Sequence, residues 1–146
     1  MPTIDIVSDA SVALKWFHAE GEEELESARA LVTAHQARRI RLSVLDLTAY
    51  EIGNALLRGR ASATAEQVAV VLEALANVCS AIRPEAAELG LAAELAARHD
   101  LTLYDAAYAA VAQSRSAVLT TLDSALLRAG LGHRPSDLVV RINRPD

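Results

Sequence analysis

The chain has 146 residues, 52% hydrophobic and 3% aromatic, with 14 basic against 19 acidic side chains and a formal charge of −5. That length suits a single domain, 1–146, with a substantial core. So few aromatics argue against an RNA module that stacks bases on a sheet, and the sign of the charge excludes a polybasic nucleic-acid binder.

The lone cysteine, Cys79, can form neither an intramolecular disulfide nor a cysteine-rich metal site. Asp5 and Asp9 interrupt the apolar N-terminus and no basic segment precedes it, so it does not read as a signal peptide. No apolar run approaches the roughly 20 residues of a membrane span. The expectation is a soluble, cytoplasmic protein with no membrane partner.

Thr3 to Ser8 is short and β-branched and ends at Asp9, the pattern of a strand feeding a turn. From Glu20 to Gln36, Leu25, Ala28, Leu31, Val32 and His35 fall on one helical face, with acids in the first turns where the macrodipole favours them. Ile40 to Val44 reads as a second strand and Leu47 to Leu57 as a helix. Thr64 with Gln67 forms a capping-box pattern opening a helix through Ala76. Val78 to Arg83 is a third short strand, and Pro84 suits the first turn of a helix reaching His99. Thr102 with Asp105 starts an alanine-rich helix through Gln113. Ala117 to Thr121 is a fourth strand, a short helix follows Asp123, and Leu138 to Ile142 is a fifth strand. Strands alternating with helices predict an α/β sandwich around a mainly parallel sheet of about five strands.

In open sheets of this kind ligands bind beyond the carboxyl ends of the strands. Asp9 and Asp123 follow strands there, Asp105 lies in a helix's first turn, and Glu51 lies in a helix of apolar neighbours. Each has a structural alternative: Asp9 as an Asx turn or N-cap, Asp123 as an N-cap, Asp105 as a capping-box partner, Glu51 as a solvated helix residue. Together they carry more. Converging carboxylates raise one another's pKa unless a cation sits among them, and oxygen-only ligands select Mg²⁺, with Mn²⁺ able to substitute. That chemistry is metal-assisted phosphodiester hydrolysis.

Val7-Ser8-Asp9-Ala10-Ser11-Val12, Tyr50-Glu51-Ile52-Gly53-Asn54-Ala55-Leu56, Leu103-Tyr104-Asp105-Ala106-Ala107-Tyr108 and Thr121-Leu122-Asp123 resemble, in order and over nearly the whole chain, a PIN-domain nuclease of the VapC toxin type. The resemblance implies a PIN-like three-layer α/β/α sandwich. It implies that Asp9, Glu51, Asp105 and Asp123 form the acidic quartet, with Asp9, Asp105 and Asp123 as metal ligands. Glu51 would bind through water or help remove a proton from the nucleophile. Thr121 would orient the last acid or the water, with Ser11 and Asn54 as supporting donors. Leu122 departs from the pattern, being apolar where relatives often carry a small or polar residue. The implied activity is an endoribonuclease toxin acting on tRNA or rRNA, homodimeric and neutralised by a VapB-type antitoxin. The alternative is a non-catalytic PIN-like interaction module whose acids only cap helices. An aspartyl-phosphate phosphatase would need a second acid at position 11, which is serine.

Lys15, the only lysine, and Arg38, Arg39 and Arg41 are candidate RNA contacts, with solvated surface positions as the alternative. Trp16-Phe17 reads as core or an interface anchor, Cys79 as packing, and Val68, Val71, Leu72 and Leu75 as a core or dimer stripe. The four histidines show no metal-ligand spacing. With the four quartet acids set apart, fifteen acids face fourteen bases. The residual charge of −1 no longer excludes RNA.

Overall fold

Val, Ile and Leu crowd the extended runs because the strands of a parallel sheet are covered on both faces. In the computed structural model, which describes residues 3–19, 21, 23–59 and 62–144, four runs pair: β1 (Ile4–Ser8), β2 (Ile40–Leu45), β3 (Ser80–Ile82) and β4 (Val118–Thr120). Every pairing is parallel and the strand order is β3-β2-β1-β4. The helices are α1 (Ala10–Ala13), which continues as a 3₁₀ turn (Leu14–Trp16), α2 (Leu25–Gln36), α3 (Thr48–Arg58) and α4 (Ala65–Val78). Then follow α5 (Ala86–His99), α6 (Leu103–Ser114), α7 (Ser124–Arg128) and α8 (Pro135–Asn143).

Alternation along the strands divides the core into two. Ile6, Leu42 and Val44 point into one half with Ala28, Leu31, Ile52 and Leu138 from α2, α3 and α8; Val7, Leu45 and Leu119 point into the other with Leu95, Val111 and Leu126 from α5, α6 and α7. The result is the expected three-layer sandwich. Trp16 and the stripe residues Val68 and Leu75 are buried in the first half, the core alternative of each reading. Among the described residues no helix is long and apolar enough to cross a membrane.

Seven consecutive residues of α6, Ala106 to Ala112, are buried, which small side chains permit because helix and sheet can approach closely. A clasp closes the end of this layer. The Arg115 guanidinium donates to both oxygens of the buried Glu88, at 2.9 and 3.0 Å, and the Glu85 N–H donates at 2.8 Å. Those bonds, Arg115's first, hold the Glu88 carboxyl down at about 2. The clasp therefore stabilises fully above pH 4.5 and is lost as pH falls toward 2. Arg115→Ala is expected to lower the melting midpoint by on the order of 5 °C at pH 7, with a smaller effect at pH 3, measured by circular dichroism.

Three expectations change. The chain enters α2 at Leu25, not Glu20: Glu24 has a left-handed backbone (φ 65°), and its carboxylate accepts the Ser136 N–H at 2.9 Å. Glu23 pairs with Arg134 at 3.6 Å, so both acids tie this turn to the start of α8; Glu20 and Glu22 lie outside the described residues. Pro84 lies one residue before the N-cap of α5, Glu85, rather than inside its first turn. Finally, Leu138 to Ile142 is helical, within α8. Pro135 opens that helix, and Leu138, Val139 and Ile142 pack inward while Val140 is 62% exposed. A strand would have put Val140 on the same face as Leu138. Among the described residues the sheet thus has four strands, and a bridge from Thr120 to His133 prolongs its edge.

Candidate active site

Because all strands are parallel, the segments leaving them meet at one edge. The chain turns to β2 on one side of β1 and later to β4 on the other, which makes the β1–β4 crevice the topological switch point. Asp9 leaves β1 there. Its N–H donates to the Thr120 carbonyl at 3.2 Å, prolonging the β1–β4 ladder by one residue.

The Asp9 carboxylate is 4% exposed and accepts three hydrogen bonds. Oδ1 takes the Ser11 hydroxyl at 2.5 Å and the Val12 N–H at 3.2 Å, and Oδ2 takes the Thr121 hydroxyl at 2.5 Å. Burial outweighs these bonds and, with the charge of Asp105 adding, pushes the Asp9 carboxyl up to about 6. Ser11 and Thr121 also fix the far side of the crevice, accepting the N–H groups of Leu122 (2.9 Å) and Asp123 (2.9 Å). Both side chains bond the Asp9 carboxylate, and Thr121 touches only the backbone of Asp123. Asp123 caps α7, its Oδ2 accepting the Leu126 N–H at 3.0 Å.

Asp105 sits half-buried in the first turn of α6. The N-cap is Thr102, whose hydroxyl accepts the Asp105 N–H at 3.1 Å. Burial raises the Asp105 carboxyl and the charge of Asp123 raises it further. Glu51, on α3, is raised by burial and then by Asp105, against a lowering hydrogen bond from Tyr108. The charge of Asp105 thus acts on Asp9 and Glu51, and that of Asp123 on Asp105. The four acids named from the sequence come together at this edge.

Asn54, Arg38, Arg39 and Arg41 do not join them. Asn54 lies one turn along α3 from Glu51, exposed, and among the described residues shares no hydrogen bond with the acids. Arg38, Arg39 and Arg41 lie at the entry to β2, the opposite edge of the sheet. Arg39 donates to Asn143 Oδ1 at 2.7 Å and Arg41 pairs with Asp5 at 3.5 Å. They do not line the acidic crevice. Lys15 lies in the 3₁₀ turn after α1, and its carbonyl accepts from Arg29 at 3.0 Å. Two residues went unrecognised in the sequence: Tyr108, which donates to Glu51 Oε1 at 2.7 Å, and Thr48, which meets Tyr108 at 2.7 Å. The only local signal was spacing, Thr48 three before Glu51 and Tyr108 three after Asp105.

Among the described residues no three His, Cys, Asp or Glu side chains already close around a point for an ion. Mg²⁺ does not need such a cage, since it keeps several waters and is bound through one or two carboxylates. A cluster of hard oxygen donors whose mutual repulsion calls for a counter-charge fits that requirement.

The sequence profile of the PIN domain family matches residues 6–131, which takes in all four acids. The chain belongs to the PIN-domain family. It is 34% identical over 125 residues to Ribonuclease VapC3 of Pyrobaculum aerophilum, covering 83% of this chain and 91% of that protein. A solved structure from the same organism superposes with a TM-score of 0.67 at 26% identity, over 95% of each chain. The Mycobacterium tuberculosis toxin VapC20, described as cleaving the sarcin-ricin loop, superposes with a TM-score of 0.65 at 20% identity, over 86% of this chain and 95% of its own. The fold of this PIN domain is therefore that of the VapC toxins.

Proposed function

We propose that this PIN domain is a Mg²⁺-dependent endoribonuclease toxin. The observation that carries the reading is geometric: at the switch point Thr121 Oγ1 joins the Asp9 carboxylate to the Asp123 backbone, and Tyr108, one turn along α6 from Asp105, holds Glu51; kinship with a named ribonuclease supports it. Asp9, Asp105 and Asp123 would hold the ion. Bound there, it would polarise a phosphate oxygen and make a nearby water a better nucleophile. Glu51 would contact the ion through water or accept the proton of the attacking water. Ser11 and Thr121 hold the Asp9 carboxylate in a fixed orientation, so that it need not reorganise as charge develops on the phosphate.

Helix capping supports a competing reading, a binding module without activity, because Asp9 and Asp123 do cap α1 and α7. Capping leaves Asp105 and Glu51 unexplained, since neither caps a helix. It also leaves unexplained why Asp9 is buried at a cost.

The substrate would be RNA, of the tRNA or rRNA class, and the partners a VapB-type antitoxin and a second copy of the chain. Tyr50 and Tyr104, 77% and 66% exposed on α3 and α6, support a protein-covered surface of this kind. Purified protein is expected to cleave an RNA pool with Mg²⁺ or Mn²⁺ and not with EDTA, and Asp105→Asn to lose at least about a hundredfold in rate. Cleavage that persists undiminished in EDTA or in the variant sinks the proposal.

A further inference from the structure

Four groups form a chain of hydrogen bonds behind the acidic crevice. The Leu45 N–H, at the end of β2, lies 3.1 Å from Thr48 Oγ1; Thr48 Oγ1 lies 2.7 Å from Tyr108 Oη; and Tyr108 Oη lies 2.7 Å from Glu51 Oε1. Thr48 is fully buried and Tyr108 is 1% exposed. An amide N–H can only donate, so the Thr48 oxygen accepts from Leu45. Tyr108 has one proton and gives it to Glu51, so in the Thr48–Tyr108 bond Thr48 is the donor. Run in this direction every donor has an acceptor, and the chain ends on Glu51 as a pure acceptor. In the reverse direction the buried Thr48 proton would have no acceptor among the described residues, and an unsatisfied buried donor is costly.

The placement gives this chain a purpose beyond satisfying a buried tyrosine. Thr48 and Glu51 stand three apart on α3, and Asp105 and Tyr108 three apart on α6, so each pair shares a helix face. The Tyr108–Glu51 bond therefore spans the two helices that bring Glu51 and Asp105 together. We propose that Tyr108, backed by Thr48, is a positioning residue that fixes the Glu51 carboxylate relative to Asp105 and thereby sets the affinity of the site for its divalent cation. This rests on the reading of the acids as a metal site. It adds two residues and a direction of hydrogen bonding to that reading.

A double-mutant cycle on the full chain tests it, with the Mn²⁺ dissociation constant read by titration calorimetry for wild type, Tyr108→Phe, Glu51→Ala and the double variant. Tyr108→Phe is expected to weaken Mn²⁺ binding by about tenfold, the usual effect of losing an orienting partner. In the Glu51→Ala background the same change is expected to cost less than twofold, because the carboxylate it orients is gone. Thr48→Ala is expected to weaken binding and Thr48→Ser, which returns the hydroxyl, to recover it. This pair carries the test if Tyr108→Phe does not fold. In RNA cleavage Tyr108→Phe should lower kcat with KM for RNA within twofold of wild type. Unchanged Mn²⁺ affinity in Tyr108→Phe, or an equal loss with and without Glu51, overturns the proposal. If wild type binds Mn²⁺ but cleaves no RNA, the nuclease reading fails while the cycle still decides the role of Tyr108. A chain that binds no Mn²⁺ overturns both.

Discussion

Asp9→Asn is expected to abolish metal-dependent RNA cleavage while making the metal-free protein more stable. The two effects share one cause. Asp9 is buried, faces the charge of Asp105, and has its carboxyl pushed up to about 6 from an ordinary 3.8. Above pH 6 the folded protein carries a charge that the unfolded chain would carry more cheaply, a cost of about 3 kcal/mol at full ionisation. Asparagine removes that charge, and its carbonyl oxygen can still accept the Val12 N–H at the α1 N-cap. The amide cannot replace a carboxylate as a ligand to a hard cation, however. Loss of such a ligand is worth several kcal/mol of transition-state stabilisation, about a thousandfold in rate. Thermal melts in EDTA at pH 7.5 should therefore show a higher midpoint for Asp9→Asn than for wild type, and cleavage assays the opposite ranking. A variant that is both less stable and active would mean that Asp9 is only a cap.

The second large effect is in the pH dependence of stability. A group whose folded pKa is raised binds its proton more tightly in the folded state. Asp9 therefore costs nothing below pH 3.8, and stability falls as pH rises through the window up to about 6. Glu51 and Asp105 are raised as well, so their contributions have the same sign. A divalent cation held by these acids, as proposed, would offset this repulsion. At tenfold its dissociation constant Mg²⁺ adds about 1.4 kcal/mol, a rise of about 4 °C for a chain of this size. The rise should be present at pH 7.5 and shrink at pH 5, where protons compete for the same carboxylates. Melts with and without metal at the two pH values check this; an equal shift at both would place the ion elsewhere.

What could be read from the sequence was what short-range rules govern. The Thr64–Gln67 capping box forms as predicted, with bonds of 2.9 and 3.1 Å. Asp123 opens a helix, and Asp9 follows its strand directly. Alternating apolar runs and helical periodicity were enough for the layers, and a resemblance spread over four segments located the acids. The errors have physical causes. Leu138 to Ile142 is a short β-branched run whose periodicity fits strand or helix, and Pro135 with an exposed Val140 decides for helix. For Arg38, Arg39 and Arg41 adjacency left an RNA contact and a solvated surface position both open. Strand direction then puts them at the opposite edge from Asp9. Tyr108 and Thr48 escaped because their bonds join residues 57 and 60 positions apart. Their three-residue spacings from Glu51 and Asp105 place them on shared helix faces but do not report such a pairing.

The proposed metal site is tested most directly by locating Mn²⁺ through its anomalous scattering in crystals of the protein grown with the ion. A single peak or a close pair bounded by Asp9, Asp105 and Asp123, and lost in Asp9→Asn crystals, is the predicted result. A fully ordered crevice with no peak, in crystals where Mn²⁺ is bound elsewhere, would contradict it.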